Sequence, residues 1–319
     1  MTIEVRRSVP ADLPGILALM RQQLGWPSDQ RAEALWRWKH EQGPFGPSPV
    51  WVAADGDHVI ALRAFLRWRL RTATGDVVSA VRAVDTATAA THQGQGWFRR
   101  LTLHGLEELA SEGVSLVFNT PNDQSRPGYL SMGWVEIDRP RVWIRPSSFA
   151  SLLALRGGRT SAELWPAPCS VGTMASEGLA DASLDALVGS SSGARGSALR
   201  TERSVEYLRW RYGHPALGYR VLATGAGRSG LGDGFVVFRS RQRGTTVERS
   251  ILDVVGCPDA WRGAVADRSG FDVALALGHR PGRLWVPVPR SGPRLVVRPI
   301  GGTDAFGPLD LSLGDVEFF

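Results

Sequence analysis

Lysine is almost missing from this chain: Lys39 is the only one in 319 residues, so arginine supplies nearly all of the positive charge. The net charge is +6 and the isoelectric point near 10.1, which invites a nucleic-acid reading. The arginines are spread through both halves without one dense run, however, and a basic stripe of the kind that tracks a phosphate backbone is not there. The lysine shortage fits codon usage in a GC-rich genome. The surplus charge still attracts an anionic cofactor or substrate. Cysteine is scarce too: Cys169 and Cys257 stand far apart, which excludes a disulfide framework and a cysteine-rich zinc site and points to reduced, structural thiols. No apolar run approaches the roughly 20 residues of a membrane span, and Met1-Thr2-Ile3-Glu4-Val5 lacks the regions of a signal peptide. The expectation is a cytoplasmic protein that uses neither membrane nor nucleic acid, and no metal. Short-period repeats are absent as well.

What is present is a globular composition, 43% hydrophobic and 21% charged, in a length that suits two domains of moderate size. Ile3 to Arg7 reads as a short strand. Pro10-Ala11-Asp12-Leu13 opens a helix bearing Ile16, Leu17, Leu19, Met20 and Leu24, which Trp26-Pro27 breaks. A second short helix holds Leu35, Trp36 and Trp38. The rigid loop Gly43-Pro44-Phe45-Gly46-Pro47-Ser48-Pro49 follows it. Val50 to Ala54 and His58 to Leu70 are strands joined by Asp55-Gly56-Asp57, a hairpin signal. A further strand ends at Thr88, a helix runs from about Gly96 to Glu112, and Val114 to Asn119 is again strand. This order describes a mixed α/β sheet. A Ser/Gly/Ala-rich stretch from about Ser176 to Ser197 reads as a linker, and beyond it Tyr207-Leu208-Arg209-Trp210-Arg211-Tyr212 has the spacing of a helix docking on a core. Strands are expected at Tyr219 to Ala223, Gly234 to Arg239, Thr246 to Val255, Leu284 to Pro287 and Leu295 to Val297.

The chain is organised around Ala80 to Trp134 and, within it, Thr91-His92-Gln93-Gly94-Gln95-Gly96-Trp97. A β-branched run precedes this turn. Trp97, Phe98, Leu101, Gly105, Leu106 and Leu109 follow it at helical spacing. Glycines at alternate positions let backbone approach a ligand, and the free N–H groups opening a helix attract anions. The same pattern also serves as plain turn punctuation.

The order of elements and these residues resemble the GNAT superfamily of acyl-CoA-dependent N-acyltransferases. The family's loop pattern falls on Thr91 to Gly96, with Thr91 in place of the usual Arg or Gln. Phe118-Asn119-Thr120-Pro121-Asn122-Asp123-Gln124-Ser125 and Tyr129-Leu130-Ser131-Met132-Gly133-Trp134 are similar to its pantetheine-side loop and tyrosine-bearing helix. Trp36-Arg37-Trp38-Lys39, the proline loop and Tyr207 to Tyr212 resemble a two-domain branch. The resemblance implies a mixed, mostly antiparallel α/β (α+β) sheet with helices on both faces. It also implies a second, degenerate GNAT-like half. The halves are expected as a GNAT domain over 1–146 binding acyl-CoA, a connecting segment over 147–200 and a GNAT-like domain over 201–319 walling the acceptor site.

The resemblance further implies coenzyme A, as acyl-CoA, held by Val84, Thr86, Ala87, Thr88, Gln93, Gly94, Gln95, Gly96, Trp97, Phe98, Asn119, Asn122 and Ser125. It implies Tyr129 as the acid that protonates the departing thiolate. The alternative is a Tyr129 that simply packs on the sheet, and with the Asn-Thr-Pro-Asn loop in place the catalytic role is favoured. Asp85, on the central strand, is the leading candidate for the base, or else a structural carboxylate paired with an arginine; Asn122 and Ser125 could cap the helix carrying Tyr129. The expected activity is acyl transfer to a primary amine of a small molecule. The narrower expectation is the aminosugar of a glycopeptide-type natural product, as in actinobacterial antibiotic biosynthesis, with a medium or long chain. The alternatives are acetylation of aminoglycosides or protein amines, and a non-enzymatic acyl-CoA-sensing or partner-binding module.

Overall fold

In a computed structural model, the structure describes residues 3–154, 161–191, 198–224, 231–268, 270–289, 291–301 and 307–317. The chain divides into two compact units: Met1–Asp138 with Arg294–Pro308, and Arg139–Pro293 with Leu309–Phe319.

In the first unit, the strands β1 (Glu4–Arg7), β2 (Val50–Asp55), β3 (His58–Arg71), β4 (Val77–Thr88), β5 (Leu116–Asn119) and β6 (Val135–Asp138) are joined by a late strand, Leu295–Pro299. The order is β1-β2-β3-β4-β5, then Leu295–Pro299, then β6. Neighbours run antiparallel, except that β4 and β5 are parallel. The hairpin at Asp55-Gly56-Asp57 forms as its residues require, with Asp55 opposite His58. Helix α1 (Leu13–Leu24) ends on a left-handed Gly25. Helix α2 (Arg31–Trp36) runs into a π-turn over Arg37–Glu41, so Trp38 lies in that turn and not on a regular helix. Helix α3 (Trp97–Ser111) supplies the crossover that a parallel pair needs. Its Trp97, Leu101, Leu106 and Leu109 pack with Trp51, Phe65, Val81, Ala83 and Val117 of the sheet. Residues of the opposite strand parity, Val52, Leu62, Leu66 and Phe118, are also at most 1% exposed, so both sheet faces are covered. The proline loop lies along β3: Arg67 donates to the Pro47 carbonyl (3.1 Å), Phe65 N–H to the Pro49 carbonyl (3.0 Å), and the Phe45 ring meets Trp68.

The second unit holds β7 (Val142–Pro146), β8 (Thr173–Met174), β9 (Leu199–Thr201), β10 (Arg220–Ala223), β11 (Gly234–Arg243), β12 (Thr246–Gly256), β13 (Val273–Leu277) and β14 (Val286–Val288). Its sheet has the order β14-β7-β13-β12-β11-β10-β8, and β12 and β13 are its parallel pair. The crossover between that pair carries only the short helix Trp261–Ala264. Each unit is thus a mixed sheet flanked by helices.

Two strands lie in the other unit from the one their sequence position suggests. β7 falls within the 1–146 expected for the first domain but pairs with β13 and β14. Leu295–Pro299 was expected in the second half but lies between β5 and β6. Short apolar strands carry no label of their partner, because pairing is set by the sheet edges left open, not by neighbours in sequence. The Ser/Gly/Ala-rich stretch contains the helices Ala175–Gly178 and Leu184–Ser191, anchored by buried Leu179 and Leu184; residues 192–197 of it lie outside the described residues. Helix Val205–Gly213 docks as its spacing requires, and the polar groups of Tyr207, Arg211 and Tyr212 are buried with it, while Glu206 and Arg209 stay exposed. Arg211 reaches Tyr219 Oη (2.8 Å) and the Gly314 carbonyl (3.0 Å), and Tyr207 donates to Asp315 (3.3 Å).

Candidate functional site

The parallel pair of the first unit separates. Ala80, Val81 and Arg82 pair with Leu116, Val117 and Phe118, and there the β4–β5 pairing stops, although β4 continues to Thr88. Val84, Thr86, Ala87 and Thr88 therefore belong to a segment bonded to β3 on one edge and released by β5 on the other. A strand in that state offers alternate N–H and C=O groups to whatever enters the gap. Asp85 is a bulge within this segment: Arg63 of β3 faces Thr86, Ala64 faces Val84, and Asp85 has no opposite number and a φ of 21°. Bulges of this kind re-aim side chains and free backbone groups next to active sites.

At the C-terminal end of β4 lies the glycine turn. Gly94 and Gly96 have φ of 74° and 78°, and open space surrounds the place where a Cβ would stand on either. They are glycines because of backbone conformation, not crowding. Gly96 is the cap of α3 and no side chain caps that end, so the first N–H groups of the helix face the turn unfilled. Gln93 does not project freely: its amide donates to Gln23 Oε1 (3.1 Å) and to the Thr88 carbonyl (3.2 Å), tying the turn to α1 and β4. The Gln95 side-chain Oε1 accepts from Trp97 Nε1 (3.3 Å). The Trp97 ring is in the core, 4% exposed, so only its backbone N–H can serve a ligand. Two residues on, Arg99 and Arg100 lie exposed on the same helical turn, and Arg100 stacks on Trp97.

Across the gap, α4 (Arg126–Ser131) places Tyr129. Phe98 of α3 meets the Tyr129 ring edge to face at 5.2 Å, and Gly128 leaves the space that Phe98 fills, since a Cβ there would stand 2.9 Å from its ring. Tyr129 is 4% exposed, and its phenol oxygen accepts from Nη1 of fully buried Arg63 at 2.8 Å. Asn119 ends β5 buried, its Oδ1 without a partner among the described residues. Asn122 and Ser125 hold each other: Asn122 Oδ1 accepts from Ser125 N–H (2.8 Å) and Oγ–H (2.9 Å), fixing the loop into α4. Neither side chain caps the first-turn N–H groups of α4: Asn122 holds the cap residue Ser125, and Ser125 makes no side-chain cap bond.

Asp85 is paired, but with the single lysine of the chain. Lys39 Nζ lies 2.6 Å and His40 Nε2 2.9 Å from Asp85 Oδ2, all three side chains at most 7% exposed. Burial raises the Asp85 carboxyl, yet the Lys39 charge and the His40 bond more than reverse this and hold it far below the usual carboxylate range. For His40 burial dominates over the pull of Asp85, so the imidazole takes up a proton only below its ordinary range. An ionised carboxylate only accepts, so neutral His40 carries its proton on Nε2, and its Nδ1 has no partner among the described residues. A carboxylate so stabilised is a poor proton acceptor. What Asp85 does here is fasten the β4 bulge to the π-turn, a distortion frequent at functional sites.

Sequence reasoning therefore brought Val84 to Thr88, the glycine turn, Phe98, Asn119 and Tyr129 to one gap. It missed Arg63, Lys39 and His40. The Trp-Arg-Trp-Lys run marked the neighbourhood of the last two, while Arg63 gave no signal beyond a charge inside an apolar strand. Among the described residues, no cluster of three His, Cys, Asp or Glu side chains could hold a metal ion, and no helix is long and apolar enough to cross a membrane.

Residues 4–137 match the acetyltransferase (GNAT) domain family. No curated protein matches the chain significantly in sequence. Among solved structures, it is similar to a GCN5-related N-acetyltransferase from Anabaena variabilis, with a TM-score of 0.64 and 13% identity over 93% of this chain and 72% of that one. A probable N-acyltransferase from Enterococcus faecalis gives 0.66 and 11% over 94% and 73%. A GCN5-related N-acetyltransferase from Kribbella flavida gives 0.63 and 16% over 94% and 72%. At these identities the likeness is one of fold, and it extends over both units. The chain has a tandem GNAT-like α/β architecture, and the stretch that matches the acetyltransferase (GNAT) domain family lies within its first unit.

Proposed function

We propose that this GNAT-fold chain is an acyl-CoA-dependent N-acyltransferase acting on a primary amine of a small molecule. The observation that carries the reading is the gap between β4 and β5, with an uncapped helix N-terminus behind a glycine turn at one end and the phenol of Tyr129 on its wall. Such an N-terminus suits the pyrophosphate of coenzyme A, with Arg99 and Arg100 adding positive charge. The free edge of Val84 to Thr88 suits the amide groups of the pantetheine arm and the thioester carbonyl. The thioester is already activated. The protein has to hold the amine in line, stabilise the oxyanion and protonate the leaving sulfur, which is the work of Tyr129. The second unit, whose crossover lacks a glycine turn and a long helix, carries no equivalent anion site among its described residues. A cytoplasmic location suits this co-substrate.

The finer reading is a medium or long acyl chain delivered to the aminosugar of a glycosylated natural product; the two-domain resemblance supports it. Acetyl transfer to aminoglycosides or protein amines is the second reading, favoured by the N-acetyltransferase names of two similar structures. Thiol release measured across acyl-CoA lengths and amine acceptors separates them. Turnover that rises from acetyl to longer chains supports the finer reading, and exclusive use of acetyl-CoA removes it. Tight binding of coenzyme A without turnover on any amine replaces both with a binding module.

A further inference from the structure

Arg63 is an arginine in the wrong place for an ordinary one. It is 0% exposed, and among the described residues no carboxylate pairs with it and its Nε and Nη2 have no hydrogen-bond partner. Its guanidinium carbon lies 4.6 Å from the Phe65 ring centre, 5.7 Å from Phe98 and 5.4 Å from Tyr129, so aromatic faces offset part of the cost of burying the charge. An uncompensated buried cation is costly and calls for an anion that the described residues do not supply. Its one hydrogen bond goes to the Tyr129 phenol oxygen at 2.8 Å. Arg63 also stands opposite Thr86, beside the Asp85 bulge, which borders the proposed thioester site.

We infer that Arg63 is a positioning residue that makes Tyr129 the proton donor to the leaving sulfur; this rests on the acyltransferase reading above. Guanidinium can only donate, so Arg63 occupies a lone pair of the phenol oxygen and the phenol hydrogen points elsewhere, with no acceptor among the described residues. In the transfer, the amine nitrogen forms the C–N bond at the thioester carbon and the C–S bond breaks with its electron pair on sulfur. Tyr129 gives its proton to that sulfur. The amine loses its own surplus proton to solvent, and solvent returns one to the phenolate. Through that interval a negative charge resides on an oxygen 2.8 Å from a buried cation. The low-dielectric surroundings strengthen that attraction.

The test is a double-mutant cycle in steady-state thiol release. Tyr129→Phe and Arg63→Met are each expected to lower kcat by about 10- to 100-fold with KM for acyl-CoA within about twofold of wild type. The double variant is expected to be no slower than Tyr129→Phe alone, because Arg63 acts through that phenol. Arg63→Lys, which keeps the charge, is expected to recover part of the rate. If circular dichroism shows that Arg63→Met loses its fold, Arg63→Lys with and without Tyr129→Phe carries the same cycle. A wild-type kcat in the Arg63 variants beside an impaired Tyr129→Phe overturns the inference and leaves the acyltransferase reading standing. So do losses that multiply in the double variant. No turnover by the wild-type chain overturns the reading itself.

Discussion

Asp85 joins local geometry to chemistry at the level of single residues. Its backbone lies in the left-handed region, which a non-glycine residue adopts at a cost, and its carboxylate is tied to Lys39 and His40 from a π-turn. This pairing has a pH signature. An unfolded histidine takes up its proton near pH 6.5, whereas buried His40 does so only at lower pH. Between those limits the unfolded chain binds more protons, so stability is complete above about pH 6.5 and falls as the pH drops. Asp85, depressed in the same sense, adds a second loss below about pH 4. The expected outcome is a thermal midpoint that declines from pH 7 to 4, and a His40→Gln variant whose midpoint is flatter between about pH 6.5 and 5. Equal slopes in the two proteins would falsify this account of His40. Asp85 was legible from its strand and Tyr129 from its motif. Arg63, 66 residues from Tyr129, and His40, 45 from Asp85, were not, because a polar contact across such separations leaves no period in the sequence.

At the level of elements, the glycine turn and α3 show why a short motif can be read so far. Positive φ at Gly94 and Gly96 is a demand on the residue type itself, so it shows in the sequence as glycine. Gly96→Ala meets no steric obstacle, but the left-handed conformation costs about 1–2 kcal/mol. Relief of that strain turns the first N–H groups of α3 away from the anion. The expected outcome is weaker coenzyme A binding, by about tenfold, with little change in thermal midpoint, measured by calorimetric titration; unchanged affinity would separate the turn from the cofactor. The π-turn was less legible. Arg37–Glu41 continues the helical pattern of α2, and the extra backbone residue in its turn is imposed by burying Lys39 and His40 against β4, a tertiary demand that local propensity does not record.

For the whole molecule, the two units were visible as a change in sequence character, but their boundaries were not. β7 and Leu295–Pro299 each enter the sheet of the unit on the far side in sequence, so neither sheet is made by a continuous stretch of chain. Leu295, Val296 and Val297 are at most 5% exposed between β5 and β6. A fragment of residues 1–146 lacks this strand and leaves the apolar edge of β5 open. Such a fragment is expected to aggregate or remain partly unfolded, and adding the peptide 294–308 to restore near-ultraviolet circular dichroism. A cooperative thermal transition in the fragment alone would show that the late strand is dispensable.

The central claim is that the gap between β4 and β5 performs amine-dependent acyl transfer. Its most direct measurement is the steady-state release of free thiol from acyl-CoA by the full chain, with and without a primary amine, beside the same measurement on Tyr129→Phe. The account expects release that depends on the amine and a kcat at least about tenfold lower in the variant with KM for acyl-CoA preserved. Thiol release that ignores the amine, or an unchanged kcat in Tyr129→Phe at a pH where chemistry limits the rate, would contradict it.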